Sequence, residues 1–243
     1  MHLCSSVASV TPAEFLGWDD AFLEAAESHG TEALWFWESP TPFVVVGYGQ
    51  QIAREVNTAA CLQHGVPILR RSSGGGTVVQ GPGCLNYGLS LRIKNDGPLT
   101  GITGANQWIM ERNRRALASL LGDSVRVEGH TDLAIVTATG ARKFSGNAQR
   151  RKRDALLFHG TILLNFDVRL MDQLLDFPSA QPDYRHNRGH LDFVTNTGLS
   201  AAPVRNALRQ EWQAETDHPS PPQEAMLKAV AARYGVTEWN QRR

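Results

Sequence analysis

The sequence is poor in cysteine, in net charge and in long apolar runs. Its 243 residues include only Cys4, Cys61 and Cys84, an odd number with no C-x-x-C spacing. A disulfide framework and a cysteine zinc site are therefore not expected, and a reducing cytoplasm is. Lysine plus arginine is 24 and aspartate plus glutamate is 24, so no global field draws the molecule to nucleic acid or to a membrane surface. Recognition of an anion has to be local. The apolar runs are a handful of residues long, far short of a bilayer span. The opening stretch MHLCSSVASVTPAEF carries no basic segment followed by an apolar one, so no signal peptide is expected. H-E-x-x-H, G-x-S-x-G and metal-ligand clusters are missing too, which leaves zinc chemistry and the common serine hydrolases unsupported.

What is present alternates between strand and helix patterns. Thr11-Pro12-Ala13-Glu14 is a capping box with proline at the first helical position, followed by Phe15, Leu16, Phe22, Leu23 and Ala26 at helical spacing and a stop at Gly30. ALWFW and FVVVGYG, separated by Ser39-Pro40-Thr41-Pro42, are expected to form a hairpin-like pair. NTAACLQHG predicts a short helix and VPILRR a buried strand. Leu85, Tyr87, Leu89, Leu91 and Ile93 alternate as a half-buried strand does. A helix is predicted over 101–121, with Ile102, Ile109, Ala116, Leu117 and Leu120 on one face. VRVEG, DLAIVTA and ALLFHGTILLNF are strands, with a turn at Thr139-Gly140 between the latter two. VRLMDQLLDF, VRNALRQEWQAE and PQEAMLKAVAARYG are helical, and TDHPSPP is a proline-rich linker between the last two. These patterns predict an α+β fold with a mixed, mostly antiparallel sheet and flanking helices.

The chemistry concentrates in two stretches. RRSSGGGTVV, residues 70–79, sets two arginines against three glycines. Peptide N–H groups of such a loop converge on phosphate or carboxylate oxygens because no Cβ blocks the approach, and arginine adds charge-assisted bonds. No Gly-Lys-Ser/Thr follows, so it is not a P-loop, and strand rather than helix follows, so it is not the dinucleotide fingerprint. A tight turn with solvated arginines fits the same residues. In the second stretch, GARKFSGNAQRRKRDALLFHGTILLNFD, Lys143 reads on its own as a solvated surface lysine and His159 as a satisfied core histidine. The run Arg150, Arg151, Lys152 and Arg153 is a solvated turn or a dock for an acidic partner. Cys84 has no local base, and burial is the reading for it and for Cys61.

Together these segments resemble the lipoate–protein ligase family, within the wider group of biotin and lipoate ligases. LWFWESPTPFVVVGYGQQIAREVN, RRSSGGGTVV, GHTDL, and RKFSGNAQRR followed by HGTILLNFD match the family's motifs in order, over roughly residues 14 to 200. The resemblance implies the fold shared with biotin ligases and class II aminoacyl-tRNA synthetases. It implies activation of lipoate or octanoate with ATP and Mg²⁺ to an acyl-adenylate, and transfer to a lysine of a lipoyl domain. Acceptors would be lipoyl domains of 2-oxoacid dehydrogenase complexes or the glycine-cleavage H protein. Lys143 would bridge the acyl carbonyl and the α-phosphate. Arg71, Ser73, Gly74, Gly75 and Gly76 would line the acyl and phosphate side, with Arg70 reaching phosphate. Thr77, Val78 and Val79 would present backbone to adenine, and Asp132 would hold metal or phosphate. Ser145, Gly146, His159, Gly160 and Thr161 would complete the substrate and nucleotide site.

The resemblance has departures. Gln80-Gly81-Pro82-Gly83 stands where the family has His-Asp-x-Gly, and Thr131 where asparagine is common. The catalytic domain is expected over 1–200, with 201–243 as a helical extension packed on it. That extension is too small for the accessory domain of related ligases, so a separate accessory subunit is a further expected partner. Two alternatives remain: an ATP-independent octanoyl transferase of the same fold, which needs a cysteine thiolate near the lysine, and a non-catalytic relative that holds lipoate or an adenylate.

Overall fold

A computed structural model describes residues 1–4, 7 and 11–242. Residues 5, 6 and 8–10, part of the stretch read above for a signal peptide, lie outside the described residues. Strands β1 (His2–Cys4), β2 (Ala33–Trp37), β3 (Phe43–Val46), β4 (Ile68–Arg70), β5 (Val78–Gln80) and β6 (Cys84–Arg92) come first in the chain. They are followed by β7 (Val125–Glu128), β8 (Asp132–Thr137), β9 (Gly140–Arg151), β10 (Ala155–Leu163) and β11 (Thr216–Asp217). The main helices are α1 (Pro12–His29), α2 (Ile52–Glu55), α3 (Thr58–Gln63), α4 (Ile102–Leu121), α5 (Arg169–Leu174) and α6 (His190–Phe193). Then come α7 (Ala201–Glu211), α8 (Gln223–Ala229), a π-helical turn over Val230–Tyr234, and α9 (Thr237–Asn240).

The large sheet has the order β11-β1-β2-β6-β10-β9-β8-β7 and a small sheet the order β4-β3-β5. Strand β1 is parallel to both its neighbours, and β3 is parallel to β4; the other pairings are antiparallel. The mixed, mostly antiparallel sheet with flanking helices is thus as the sequence predicts. The hairpin of ALWFW with FVVV is not. Strand β2 pairs with β1 and β6 in the large sheet, while β3 pairs with β4 and β5 in the small one. All five residues of β2 are buried, because helices cover both faces of the sheet there. A strand covered on both sides loses its alternation, and with it the clue to its partner. Leu34 and Phe36 face a core with Ala105, Ile109 and Leu117 of α4 and Val204 and Leu208 of α7. Ala33, Trp35 and Trp37 face the opposite core with Phe15, Phe22 and Leu23 of α1 and Met226. Phe22 stacks on Trp35 with ring centroids 4.3 Å apart. Each such fully buried side chain contributes about 1.5–3 kcal/mol.

Helix α1 starts on the predicted capping box, with Thr11 Oγ1 accepting from the Glu14 N–H and Glu14 Oε2 accepting from the Thr11 N–H. It ends at Gly30 in the left-handed region, φ 71°. Helix α4 is where predicted, but Ile102 is 61% exposed; Ala105, Ile109, Met110, Asn113, Ala116 and Leu117 form the buried stripe. The turn at Thr139-Gly140 leads into β9, which lies between β8 and β10. Two residues of the proline-rich segment form β11 at the sheet edge. The last described residues pack on the body of the molecule. Helix α8 lies against α1 through Met226, whose side chain sits 3.1 Å from where a Cβ on Gly17 would be. Trp239 Nε1 donates to the Arg70 carbonyl at 2.8 Å, and the Arg70 N–H donates to Asn240 Oδ1 at 3.0 Å.

Candidate active site

Two cavities, of about 120 and about 800 Å³, meet on a shared wall. Thr77, Val78, Lys143, Gly146, Thr161 and Arg185 line both. The smaller lobe is largely apolar, with Val79, Phe144, Leu163, Met171, Leu175 and Phe193, and has Glu55 and Asp176 toward one side. The larger lobe runs past Trp37, Val45, Tyr87, His159 and Gly160 and opens by Glu128, His130 and Asp183.

Lys143 sits at the junction because of an irregularity in β9. Leu133 pairs with Ser145 and Ala134 with Lys143, so Phe144 is an extra residue on that strand. A bulge of this kind re-aims its neighbours: Phe144 is fully buried in the core, and Lys143 turns into the cavities. Its Nζ lies 2.8 Å from Asp132 Oδ1, and the Tyr184 hydroxyl donates to Asp132 Oδ2 at 2.8 Å. Burial and the Asp132 charge push the Tyr184 phenol well above its ordinary pKa, so it stays a donor. Gly146 leaves room for the ammonium: a Cβ there would come within 2.8 Å of Lys143 Cε and Nζ and push the end of that side chain from its present place.

The glycine loop is held from beneath. Arg71 Nη2 donates to the carbonyls of Gly74 at 2.5 Å and Gly76 at 2.8 Å, and its Nε donates to Ser73 Oγ at 3.0 Å. Gly75 takes φ 85°, the left-handed region that glycine enters without strain. Arg71 is buried, and desolvation lowers its pKa to about 10, against the opposing pull of Asp19. Ser73 Oγ is 2.6 Å from His159 Nε2, and His159 Nδ1 is 2.7 Å from Asp19 Oδ2. The carboxylate only accepts, so Nδ1 carries the proton, and in the neutral ring Nε2 accepts from Ser73. Asp19 therefore orients His159, His159 orients Ser73, and Arg71 closes the chain. Beside it, Asp20 accepts from Ser72 Oγ at 2.6 Å and pairs with Arg150 at 2.5 Å and with Arg233 of the π-helical turn.

A family model, the lipoyl protein ligase A/B catalytic domain, matches residues 11–202. The chain belongs to that family. A candidate lipoate-protein ligase A of Aeropyrum pernix is 30% identical over 198 residues, 81% of this chain and 69% of that protein. Solved structures of lipoate protein ligases share the fold. One is the bipartite lipoate protein ligase of Thermoplasma acidophilum, solved in a study of that ligase and its E2 lipoyl domain. It has TM-score 0.82 and 22% identity, covering 99% of this chain and 97% of that one. A lipoate-protein ligase A bound with ATP has TM-score 0.81 and 23% identity, covering 99% of this chain and 98% of that one.

Within this lipoyl ligase fold, the structure brings Arg71, Gly75, Gly76, Thr77, Val78, Asp132, Lys143, Gly146, His159, Gly160 and Thr161 to the walls of the larger lobe. Val79 and Ser145 line the smaller one. Ser73 is buried behind the loop, and Gly74 lies at its exposed turn. Arg70 departs from the phosphate contact expected for it. Its guanidinium is buried and donates to the carbonyls of Gly47 at 3.0 Å, Tyr48 at 3.4 Å and Gln50 at 2.8 Å. It braces the loop after β3 and does not line either cavity. The basic run is also largely absorbed: Arg150 pairs with Asp20, Arg151 Nη2 donates to Leu99 O at 2.6 Å, and Lys152 pairs with Glu24. Arg153 is exposed.

Gln80, which stands where the resemblance implies a histidine, closes a ring of two amides and a hydroxyl. Its Nε2 donates to Thr161 Oγ1 at 2.6 Å, Thr161 donates to Asn86 Oδ1 at 2.6 Å, and Asn86 Nδ2 donates back to Gln80 Oε1 at 2.9 Å. All three line the larger lobe. Sequence reasoning missed Asp19, Asp20, Arg185 and Tyr184. The signal available was Asp19-Asp20 directly after Trp18 and before Ala21, two acids inside an apolar helical stretch. No group of three or more His, Cys, Asp or Glu side chains is placed to hold a metal ion among the described residues. Nor is any helix among them long and apolar enough to cross a membrane.

Proposed function

We propose that the chain is an ATP-dependent lipoate–protein ligase. It joins lipoate or octanoate to AMP, releasing pyrophosphate, and passes the acyl group to the ε-amine of a lysine on a lipoyl domain. The observation that carries this reading is the Lys143 ammonium on the wall between two cavities of different character. The apolar smaller lobe, rimmed by Glu55 and Asp176, suits a base and repels phosphates. The larger lobe, with Trp37, Val45 and Tyr87 along it, suits a carboxylic acid with an apolar tail. Bringing the carboxylate and the α-phosphate together at Lys143 places a fixed cation where negative charge accumulates, in a site that does not have to reorganise. The carboxylate oxygen attacks phosphorus and the bond to pyrophosphate breaks. In the second step the neutral lysine amine of the acceptor attacks the acyl carbon, AMP leaves with the electron pair of the C–O bond, and the amine proton is released.

Asp132, which lines the larger lobe with Lys143 on one oxygen and Tyr184 on the other, would hold Mg²⁺. One carboxylate fits this ion, which is bound largely by substrate phosphates and water and dehydrates reluctantly. When bound it neutralises phosphate charge. The peptide N–H groups of Gly74–Gly76 and the Asp19–His159–Ser73 chain keep the acyl and phosphate side in shape. Acceptors are lipoyl domains of 2-oxoacid dehydrogenase complexes or the glycine-cleavage H protein, with or without an accessory subunit, and the reaction belongs to the cytoplasm.

The cysteine-dependent transferase has little to support it. Cys4, Cys61 and Cys84 are all buried, and desolvation pushes the Cys84 thiol up to about 12, which keeps it protonated and unreactive. The deciding experiment is the intact mass of an unmodified lipoyl domain after incubation with lipoate or octanoyl carrier, with and without ATP. A lipoyl mass shift that requires ATP is the expected result. Transfer from the octanoyl carrier without ATP would overturn it. Saturable ATP or lipoate binding with no pyrophosphate exchange would instead mark a non-catalytic binder.

A further inference from the structure

Arg185 is a buried cation with no acid paired to it. It is the last residue of a short 3₁₀ turn, Asp183–Arg185, in the segment between α5 and α6, and it lines both lobes. It is 5% exposed. Its Nε donates to the Arg188 carbonyl at 2.9 Å, and its guanidinium lies 4.8 Å from the Phe193 ring centroid and 5.1 Å from that of Phe177. Its Nη2 has no hydrogen-bond partner, and no carboxylate lies within ion-pair distance of it among the described residues. Asp172, whose charge it feels, is engaged with His190 Nδ1 at 3.0 Å. An unpaired charge held out of water is costly, and proteins keep one where a ligand supplies the counter-charge. A second orphan shares the wall: Thr77 Oγ1 is buried and has no partner either.

We propose that Arg185 is a second fixed cation of the nucleotide site, lining the same two lobes as Lys143. The guanidinium, whose Nη2 has no partner within the protein, binds phosphate oxygens of ATP on the wall it shares with Thr77. The aromatic pair Phe177 and Phe193 fixes the guanidinium plane in advance, so little rotamer entropy is lost on binding. The inference rests on the ATP-dependent reading above and adds a phosphate ligand from a segment that the motifs do not reach.

The test compares binding of ATP and of adenosine, which shares the base and ribose and lacks the phosphates, to wild type, Arg185→Gln and Arg185→Lys by calorimetry. A charged hydrogen bond of about 1.5–3 kcal/mol predicts that Arg185→Gln weakens ATP on the order of ten- to a hundredfold. Adenosine should change little, and Arg185→Lys should recover part of the loss. If Arg185→Gln fails to fold, Arg185→Lys decides by the same ratio, because a lysine keeps the charge without the planar fork. A purely structural role would weaken both ligands alike. Equal weakening, or an unchanged ATP affinity, overturns the Arg185 assignment and leaves the ligase reading standing. A wild-type protein that binds adenosine and ATP equally, or neither, overturns both.

Discussion

Replacing Gly160 by alanine should injure the protein out of proportion to one methyl group. Gly160 on β10 pairs with Asn147 of β9 on one side and with Tyr87 of β6 on the other. A Cβ at this position would fall 1.6 Å from Asn147 Oδ1, 2.6 Å from its Cγ and 3.0 Å from Tyr87 Cε1. Asn147 must therefore leave. It would give up the bond from the Tyr87 hydroxyl at 2.6 Å and its own bond to the Thr131 carbonyl at 2.6 Å. Tyr87 is buried and still receives a bond from Asn113 Nδ2 at 2.6 Å, so its own proton is what loses a partner. An unmade buried hydrogen bond costs about 1–3 kcal/mol, and forcing extra volume into a packed site costs about 1–3 kcal/mol more. The midpoint, about 4 kcal/mol, corresponds in a chain of this size to a fall in Tm of roughly 8–16 °C. Urea unfolding followed by tryptophan fluorescence measures it. The cause is isolated by a double-mutant cycle: in an Asn147→Ala background the clash with Oδ1 is gone, and Gly160→Ala should cost about 1 kcal/mol, the residue of the Tyr87 contact. Equal costs in both backgrounds, or a single mutant as stable as wild type, would refute the reasoning.

Lys143→Ala should remain folded, since the side chain is 26% exposed, and should lower lipoate-dependent pyrophosphate exchange by about two to three orders of magnitude; near-normal exchange removes Lys143 from the mechanism. Asp20→Asn should destabilise by about 1–3 kcal/mol, because it weakens the charge-assisted bonds to Arg150 and Arg233, which are both partly exposed, and thermal unfolding reads it directly. Native protein should resist iodoacetamide at all three cysteines at neutral pH, with labelling by mass spectrometry appearing only in denaturant. Alkaline stability tests the same burial. The folded Cys84 thiol keeps its proton to about pH 12, whereas the unfolded one loses it near 9. The folded state therefore binds more protons in that window, and stability falls as pH rises, by about 1.4 kcal/mol per unit from this group. Cys84→Ala should remove that slope between pH 9 and 12; parallel curves would contradict the assigned burial. Tyr87 and Tyr184 are present in both proteins and cancel in the difference.

What could be read from the chain was local. The capping box of α1, the strand β6 and the glycine loop are each written in a few consecutive residues and are found in place, but β6 is not the half-buried strand its alternation predicts: Asn86 and Ser90 on its polar face are buried as well. Lys143 could be placed in a strand, but its direction depends on the extra residue at Phe144, visible only once β8 supplies the register. Pairing across distance was not readable: β1 lies beside β11, some two hundred residues away, and β2 lost its alternation because both faces are covered. Arg70 and Arg71 look equivalent in sequence, yet β4 ends at Arg70 and the two side chains turn to different partners. One reaches the glycine carbonyls and the other the loop after β3. The acids Asp19 and Asp20 were passed over because charge inside a helix is ordinarily solvent-facing. Here Arg150 on β9, His159 on β10, Ser72 before the glycines and Arg233 claim them.

The clasp of Trp239 and Asn240 on the backbone of Arg70 has a bearing on how the protein is made. Its partners are separated by 169 and 170 positions, and Arg233 closes on Asp20 across 213. During synthesis the strand that leads into the glycine loop emerges early but stays without this clasp until residue 240 has cleared the ribosome. A chain cut short just beyond β10 would hold every strand of the large sheet except β11 and would lack this clasp entirely.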